Sequence, residues 1–282
     1  MSSADGIIAL RFLSVVPNIS AEHVDRQREL LTATARTEQH PGIRGMHLLV
    51  LDAAQARRML AAHGYTLGRH VTVHELGRWP LNSDLVEYAS TVLRGQWVLA
   101  SNDDVYPEGP AWLRPPDGAL MLSRHAKERE TCNGCLRSCN AVRRTPHTSL
   151  CNERNVGSFD AWLHRFSSPV TNVTDPVSIA MLATPRHSFG ADNLLGHVFE
   201  QHLGVPLKNR CYDYKLFHLH CRLTTSDAKN GRQSGKRRGY GEGFRHGVHN
   251  HGDMAKLVMR HDPHKHTWNE ARSIVRKKWP PS

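Results

Sequence analysis

The first hundred residues alternate short apolar runs with longer segments of helical composition, and this alternation constrains the fold more than any other feature. Residues 7–16, IIALRFLSVV, form an apolar run stopped by Pro17-Asn18 and read as a buried strand. Ser20 is then placed to cap a helix running to about Arg36, with Leu30 and Leu31 on its core face. Residues 46–51 read as a second strand, residues 53–63 as a helix closed by Gly64, and residues 71–74 as a third strand. Asn82 or Ser83 caps a helix over residues 84–93 that ends at Gly95, and residues 96–100 form a fourth strand running into Ser101-Asn102-Asp103-Asp104. Strand and helix in strict succession predict an α/β fold: a Rossmann-type, mostly parallel central sheet with helices on both faces. Ligands of such sheets bind beyond the carboxyl ends of the strands, where Ser101 to Asp104 falls.

The pattern loosens afterwards. Residues 130–153, rich in Cys, Asn, Arg and Thr, read as a long loop or insertion, and residues 158–166 as a short helix containing Trp162. Ala191-Asp192-Asn193 opens a further helix to about His202, and residues 214–220 form a last strand. The stretch 228–252, rich in Gly, Arg and His, is expected to lack a packed core, with short helices over 255–259 and 268–279.

Charge divides the chain in the same place. Of a formal net charge of +11, residues 222–282 contribute +9, from fourteen Lys and Arg against five Asp and Glu. A nearly neutral body with a basic extension reads as an enzyme-like domain with a tail, not as a basic fold. No run of eighteen apolar residues is present, so no transmembrane helix is expected, and the first residues lack the basic start of a secretory signal. A cytoplasmic protein with reduced thiols is the resulting expectation, although Asn18 and Asn172 stand in glycosylation sequons.

Several residues have the chemistry of a site. Asn102-Asp103-Asp104 at a strand end offers the oxygens that a hard divalent cation takes alongside phosphate, although Asx residues are also favoured in turns. His218 and His220, two apart in a strand, face the same side and suit a borderline ion such as manganese. Asp192 and Asp160 are carboxylates placed either to accept a proton or to cap a helix. Trp112 and Trp162 are either sugar-stacking or core residues. Cys132-x2-Cys135-x3-Cys139 with Cys151 offers an irregular zinc spacing without a second CxxC. The His246–His251 segment reads as a solvated tail, and Lys236-Arg237-Arg238 is too brief for a nucleic-acid site.

Four blocks together resemble a family of small GT-A glycosyltransferase-like proteins, distantly similar to the large inverting family 2 enzymes. They are Gly77-Arg78-Trp79-Pro80 through Asp84-Leu85-Val86-Glu87-Tyr88-Ala89; Ala100 through Tyr106; Ser158-Phe159-Asp160-Ala161-Trp162; and Gly190-Ala191-Asp192-Asn193 with the later Phe217-His218-Leu219-His220. The resemblance covers about residues 6–225. It implies a GT-A-like domain over 1–225, with a nucleotide-sugar-binding half (1–106) and an acceptor half (107–225), followed by the basic His-rich extension 226–282. It implies a metal-dependent transfer of a sugar, with inversion, from a UDP- or GDP-sugar to a hydroxyl of a glycan, protein or small molecule. In that frame Asp104, His218 and His220 hold Mn2+ or Mg2+, and Arg78, Asp84, Asn102 and Asp103 surround the nucleotide-sugar. Asp192 is the base, preferred over Asp160. The Cys-rich loop over 130–153 departs from the family where acceptor recognition is usually built. Two rivals remain: a nucleic-acid binder acting through the tail, and a glycosyltransferase-like fold without activity.

Overall fold

The computed structural model describes residues 6–13, 21–78, 80–125, 151, 159–170, 173, 176–184, 195–196, 198–199 and 203–219. Eight strands and four α-helices lie within these: β1 (Ile7–Phe12), α1 (Ala21–Glu38), β2 (Ile43–Val50), α2 (Ala53–Ala62), β3 (Val71–Glu75), α3 (Asn82–Thr91), β4 (Trp97–Ser101), β5 (Val105–Glu108), β6 (Leu120–Leu122), β7 (Ala161–Arg165), α4 (Pro176–Leu182) and β8 (Lys215–His218). A 3-10 turn over Pro110–Leu113 follows β5. Among the described residues, no helix is long and apolar enough to cross a membrane.

Six strands form one sheet in the order β3-β2-β1-β4-β7-β6. The first four are parallel, as the strand–helix alternation predicts, and β7 runs antiparallel to β4. The chain builds outward from β1 through β2 to β3, then returns to add β4 on the other side of β1. The crevice between the carboxyl ends of β1 and β4 is therefore the topological switch point, where sheets of this kind receive ligands.

Alternation along the strands divides the core. Leu10 and Phe12 of β1, Val98 and Ala100 of β4 and Trp162 of β7 face α3 and α4, through Leu85, Ala89, Ile179 and Leu182. Ile7, Ala9, Leu48, Val50, Leu99 and Leu163 face the other way, towards Leu31 of α1 and Ala56, Met59 and Leu60 of α2. Helices thus cover both faces. The Asp52 carboxylate caps α2 by accepting from the Gln55 N–H at 2.7 Å. Beyond that helix Gly64 takes φ +70°, a conformation that favours glycine.

Residues 158–166 do not form the expected helix. Ala161–Arg165 is a strand inserted between β4 and β6, with Ala161, Trp162 and Leu163 fully buried. A short apolar run buried on both sides carries no period-2 signal that would separate it from a helix. Trp162 and Trp112 are both fully buried core side chains, which removes them as sugar-stacking surfaces. The expectation of reduced thiols is likewise corrected: Cys151 and Cys211 form a disulfide spanning 60 residues. In the chain-entropy picture, closing a loop of that length stabilises the fold by about 4 kcal/mol.

Candidate functional site at the switch point

The site begins with Arg11, a charged residue in an otherwise apolar strand. Its side chain is fully buried at the carboxyl end of β1, beside Ser101 of β4. Nη2 donates to Ser101 Oγ at 3.0 Å and to the Val105 carbonyl at 2.6 Å. One guanidinium therefore clasps both ends of the turn that carries Asn102, Asp103 and Asp104. Among the described residues, its Nε and Nη1 have no acceptor. Burial lowers the Arg11 pKa to about 10, and the neighbouring Asp103 and Asp104 carboxylates oppose that shift. The cation thus persists at neutral pH, beneath two acidic residues.

After the turn, β5 leaves the main sheet and pairs antiparallel with β8, in the register Val105↔His218 and Tyr106↔Phe217. Tyr106, with Leu219, packs on Ala33 of α1, and the Tyr106 hydroxyl accepts from Arg36 Nη1 at 2.6 Å. This two-stranded ribbon brings His218 to Asp104. His218 Nε2 donates to Asp104 Oδ2 at 2.9 Å, and the Leu219 N–H donates to the Asp104 carbonyl at 2.8 Å. Both side chains are nearly buried, at 11% exposure for Asp104 and 10% for His218.

A second acidic residue reaches the same edge from the antiparallel strand. Asp160 lies just before β7, whose first residue Ala161 opposes Ser101. Its Oδ1 accepts from Arg124 Nη1 at 2.5 Å and from Asn102 Nδ2 at 3.3 Å. With 1% of its surface exposed, this carboxylate is engaged in holding the acidic turn, a poor disposition for a proton acceptor. Arg78 and Asp84, beyond the carboxyl end of β3, meet in a two-point contact of 2.7 and 2.5 Å. Asp84 Oδ2 also accepts from the Leu81 N–H at 2.7 Å, so the pair braces the start of α3 while Arg78 stays partly exposed.

The structure therefore joins Asp104 with His218, Asn102 with Asp160, and Arg78 with Asp84, all along one edge of the sheet. Asp192 and His220 lie outside the described residues, as do the extension 226–282 and Cys132, Cys135 and Cys139. Arg11 and Arg124 are the participants that the sequence reading missed. For Arg11 a signal existed, a lone charge inside an apolar strand, since such a residue is buried only when the fold has use for it. For Arg124 there was none.

The Asp104–His218 pair can be tested as a ligand set. Two ligand atoms each about 2.1 Å from an octahedral ion, at right angles, stand about 3.0 Å apart, and the pair's donor atoms stand at 2.9 Å. A carboxylate with an imidazole is a donor set that manganese accepts. The 2.9 Å separation is that of the hydrogen bond between them, and what recommends the pair is its donor types alone. No protein-family model matches the sequence, and no curated protein matches it either.

Proposed function

We propose that this chain is a metal-dependent glycosyltransferase of GT-A-like fold, transferring a sugar from a nucleotide-diphosphate donor to an acceptor hydroxyl with inversion. The observation that supports this most is the meeting of Asp104 and His218 at the switch point, two residues 114 positions apart. Asp104 and His218 would hold Mn2+ or Mg2+, which supplies charge neutralisation for the departing diphosphate. Arg11 fixes the acidic turn from below, and Asp160 with Arg124 fixes it from the side. Asp192 remains the proposed base: it takes the proton of the acceptor hydroxyl as the bond from acceptor oxygen to anomeric carbon forms and the bond to the diphosphate oxygen breaks. Arg78, Asp84, Asn102 and Asp103 remain assigned to the nucleotide-sugar.

The test is binding and hydrolysis of UDP-, GDP- and CMP-sugars by the full chain, with manganese and with chelator. Metal-dependent binding or turnover of one donor supports the reading and identifies the nucleotide. A folded protein that ignores the whole panel overturns it.

A further inference from the structure

His218 is carried by a ribbon that needs outside support. β5 and β8 form a sheet of two strands, each of four residues, and a two-stranded ribbon is marginally stable by itself. Successive backbone groups of a strand point to opposite edges. The Leu219 N–H serves the β5 edge, donating to the Asp104 carbonyl at 2.8 Å. The His218 N–H points to the other edge and donates to the His125 carbonyl at 3.2 Å, while the His125 N–H donates to the Leu216 carbonyl at 2.6 Å. His125 thereby forms a parallel bridge with Phe217 and gives β8 a neighbour on each side, level with His218.

The imidazole of His125 holds the residue in place. It packs on Phe217 with ring centroids 5.5 Å apart, and its Nε2 lies 2.8 Å from the Cys211 carbonyl oxygen. A carbonyl can only accept, so Nε2 carries the proton and donates. Cys211 is fully buried and cross-linked to Cys151, and the Tyr214 N–H donates to the Arg210 carbonyl across the same turn at 2.9 Å. The ring is therefore bonded to a cross-linked point just ahead of β8. The preceding residue, Arg124, donates to Asp160, which in turn accepts from Asn102. Adjacent residues thus grip the two arms of the site: Arg124 the acidic turn, His125 the ribbon that faces it.

We propose that His125 is a positioning residue for the Asp104–His218 contact: its Nε2–H bond to the Cys211 carbonyl sets the backbone of β8 where the His218 imidazole reaches Asp104. A side chain leaves the backbone in a fixed direction, so a strand that rocks carries its imidazole with it. The contact at stake is 2.9 Å long, and a hydrogen bond weakens steeply once its angle or length departs from the optimum. The bearing of His125 on turnover rests on the reading of Asp104 and His218 proposed above, but its positioning role is tested without donor or metal.

The test compares two variants of the full, oxidised chain by nuclear magnetic resonance. His125→Phe keeps a ring against Phe217 and removes the donor. His125→Gln keeps a donor, because its amide nitrogen stands as many bonds from Cα as histidine Nε2. In His125→Phe the His218 and Leu219 amides should exchange about five- to tenfold faster, as for the loss of one hydrogen bond, while Val98 and Leu99 of β4 exchange as before. The Nε2 proton of His218, shielded from water by its contact with Asp104, should broaden or vanish in His125→Phe, as it should in Asp104→Ala. His125→Gln should restore both the exchange rates and the proton signal. The proposal is overturned if His125→Phe leaves them unchanged, if His125→Gln behaves like His125→Phe, or if exchange in β4 rises equally, which marks a residue that only stabilises the fold. A protein that passes this test and still ignores every nucleotide-sugar would refute the proposed reaction and leave the positioning role standing.

Discussion

Asn102 and Asp160 are joined twice: the Asn102 N–H donates to the Asp160 carbonyl at 2.9 Å, and Asn102 Nδ2 donates to Asp160 Oδ1 at 3.3 Å. The end of β4 and the start of β7 are thereby one unit, clamped from outside by Arg124. Asp160→Ala should destabilise the fold by about 2–3 kcal/mol, because Arg124 and Asn102 each lose a hydrogen bond to a buried carboxylate. In a double-mutant cycle with Arg124→Met, denaturant unfolding should give a coupling of about 1–3 kcal/mol. Additive effects would show that the contact contributes little.

Asp104→Ala and His218→Ala should each weaken manganese binding by more than about tenfold, since even residues that only orient ligands change affinity by that much. Each should leave the melting temperature within a few degrees of the unmodified protein in the absence of metal. Isothermal titration with Mn2+ measures the first quantity and calorimetry the second.

Arg11→Met tests the clasp beneath the turn. Removing a fully buried cation relieves its desolvation, while Ser101 Oγ and the Val105 carbonyl lose their donor. The two effects offset, so global stability should change by less than about 2 kcal/mol. The loss should appear locally instead, as faster amide exchange over residues 101–105 and weaker donor binding. Unchanged exchange there would refute the positioning role.

His164 gives a pH dependence of definite sign. Packed against Phe166 and Phe199 in the apolar layer under α3, it is held neutral by burial, with its pKa lowered to about 4. Below pH 6.5 the unfolded chain binds a proton that the folded chain does not, so stability falls as the pH drops towards 4, by about 3 kcal/mol from this residue. Burial lowers the His47 pKa as well and adds to the same slope. Above pH 7 neither residue contributes a slope. His164→Leu should reduce the acid sensitivity measured by urea unfolding at pH 7 and pH 4.5; an unchanged difference would contradict the assignment.

How far the sequence was legible depended on the range of the interactions. β1 to β4 and their helices were read nearly in place, because each carries its own periodicity and its own stop in Gly64 or Gly95. β5 and β6 were missed, being three or four residues long, with Pro107 inside β5. The segment that forms β7 reads as a helix because a doubly buried run has no alternation. Asp104 and His218 were each legible as ligand types, and their common strand-end setting was legible for Asp104. Their meeting was not, since it depends on the β5–β8 register across 114 positions. The disulfide was beyond reach for a related reason: six cysteines admit fifteen pairings, and only the fold selects Cys151 with Cys211.

The placement of His218 on β8 also sets when the centre can come into being. Chains are made from the amino terminus, and early segments fold as they emerge. The four parallel strands and the Asp104 turn can therefore settle while β8 is still unsynthesised. Until that strand docks on β5, Asp104 has no imidazole beside it. A nascent or truncated chain ending before residue 215 would carry the scaffold without the pair, so the contact between Asp104 and His218 is a late event of biosynthesis.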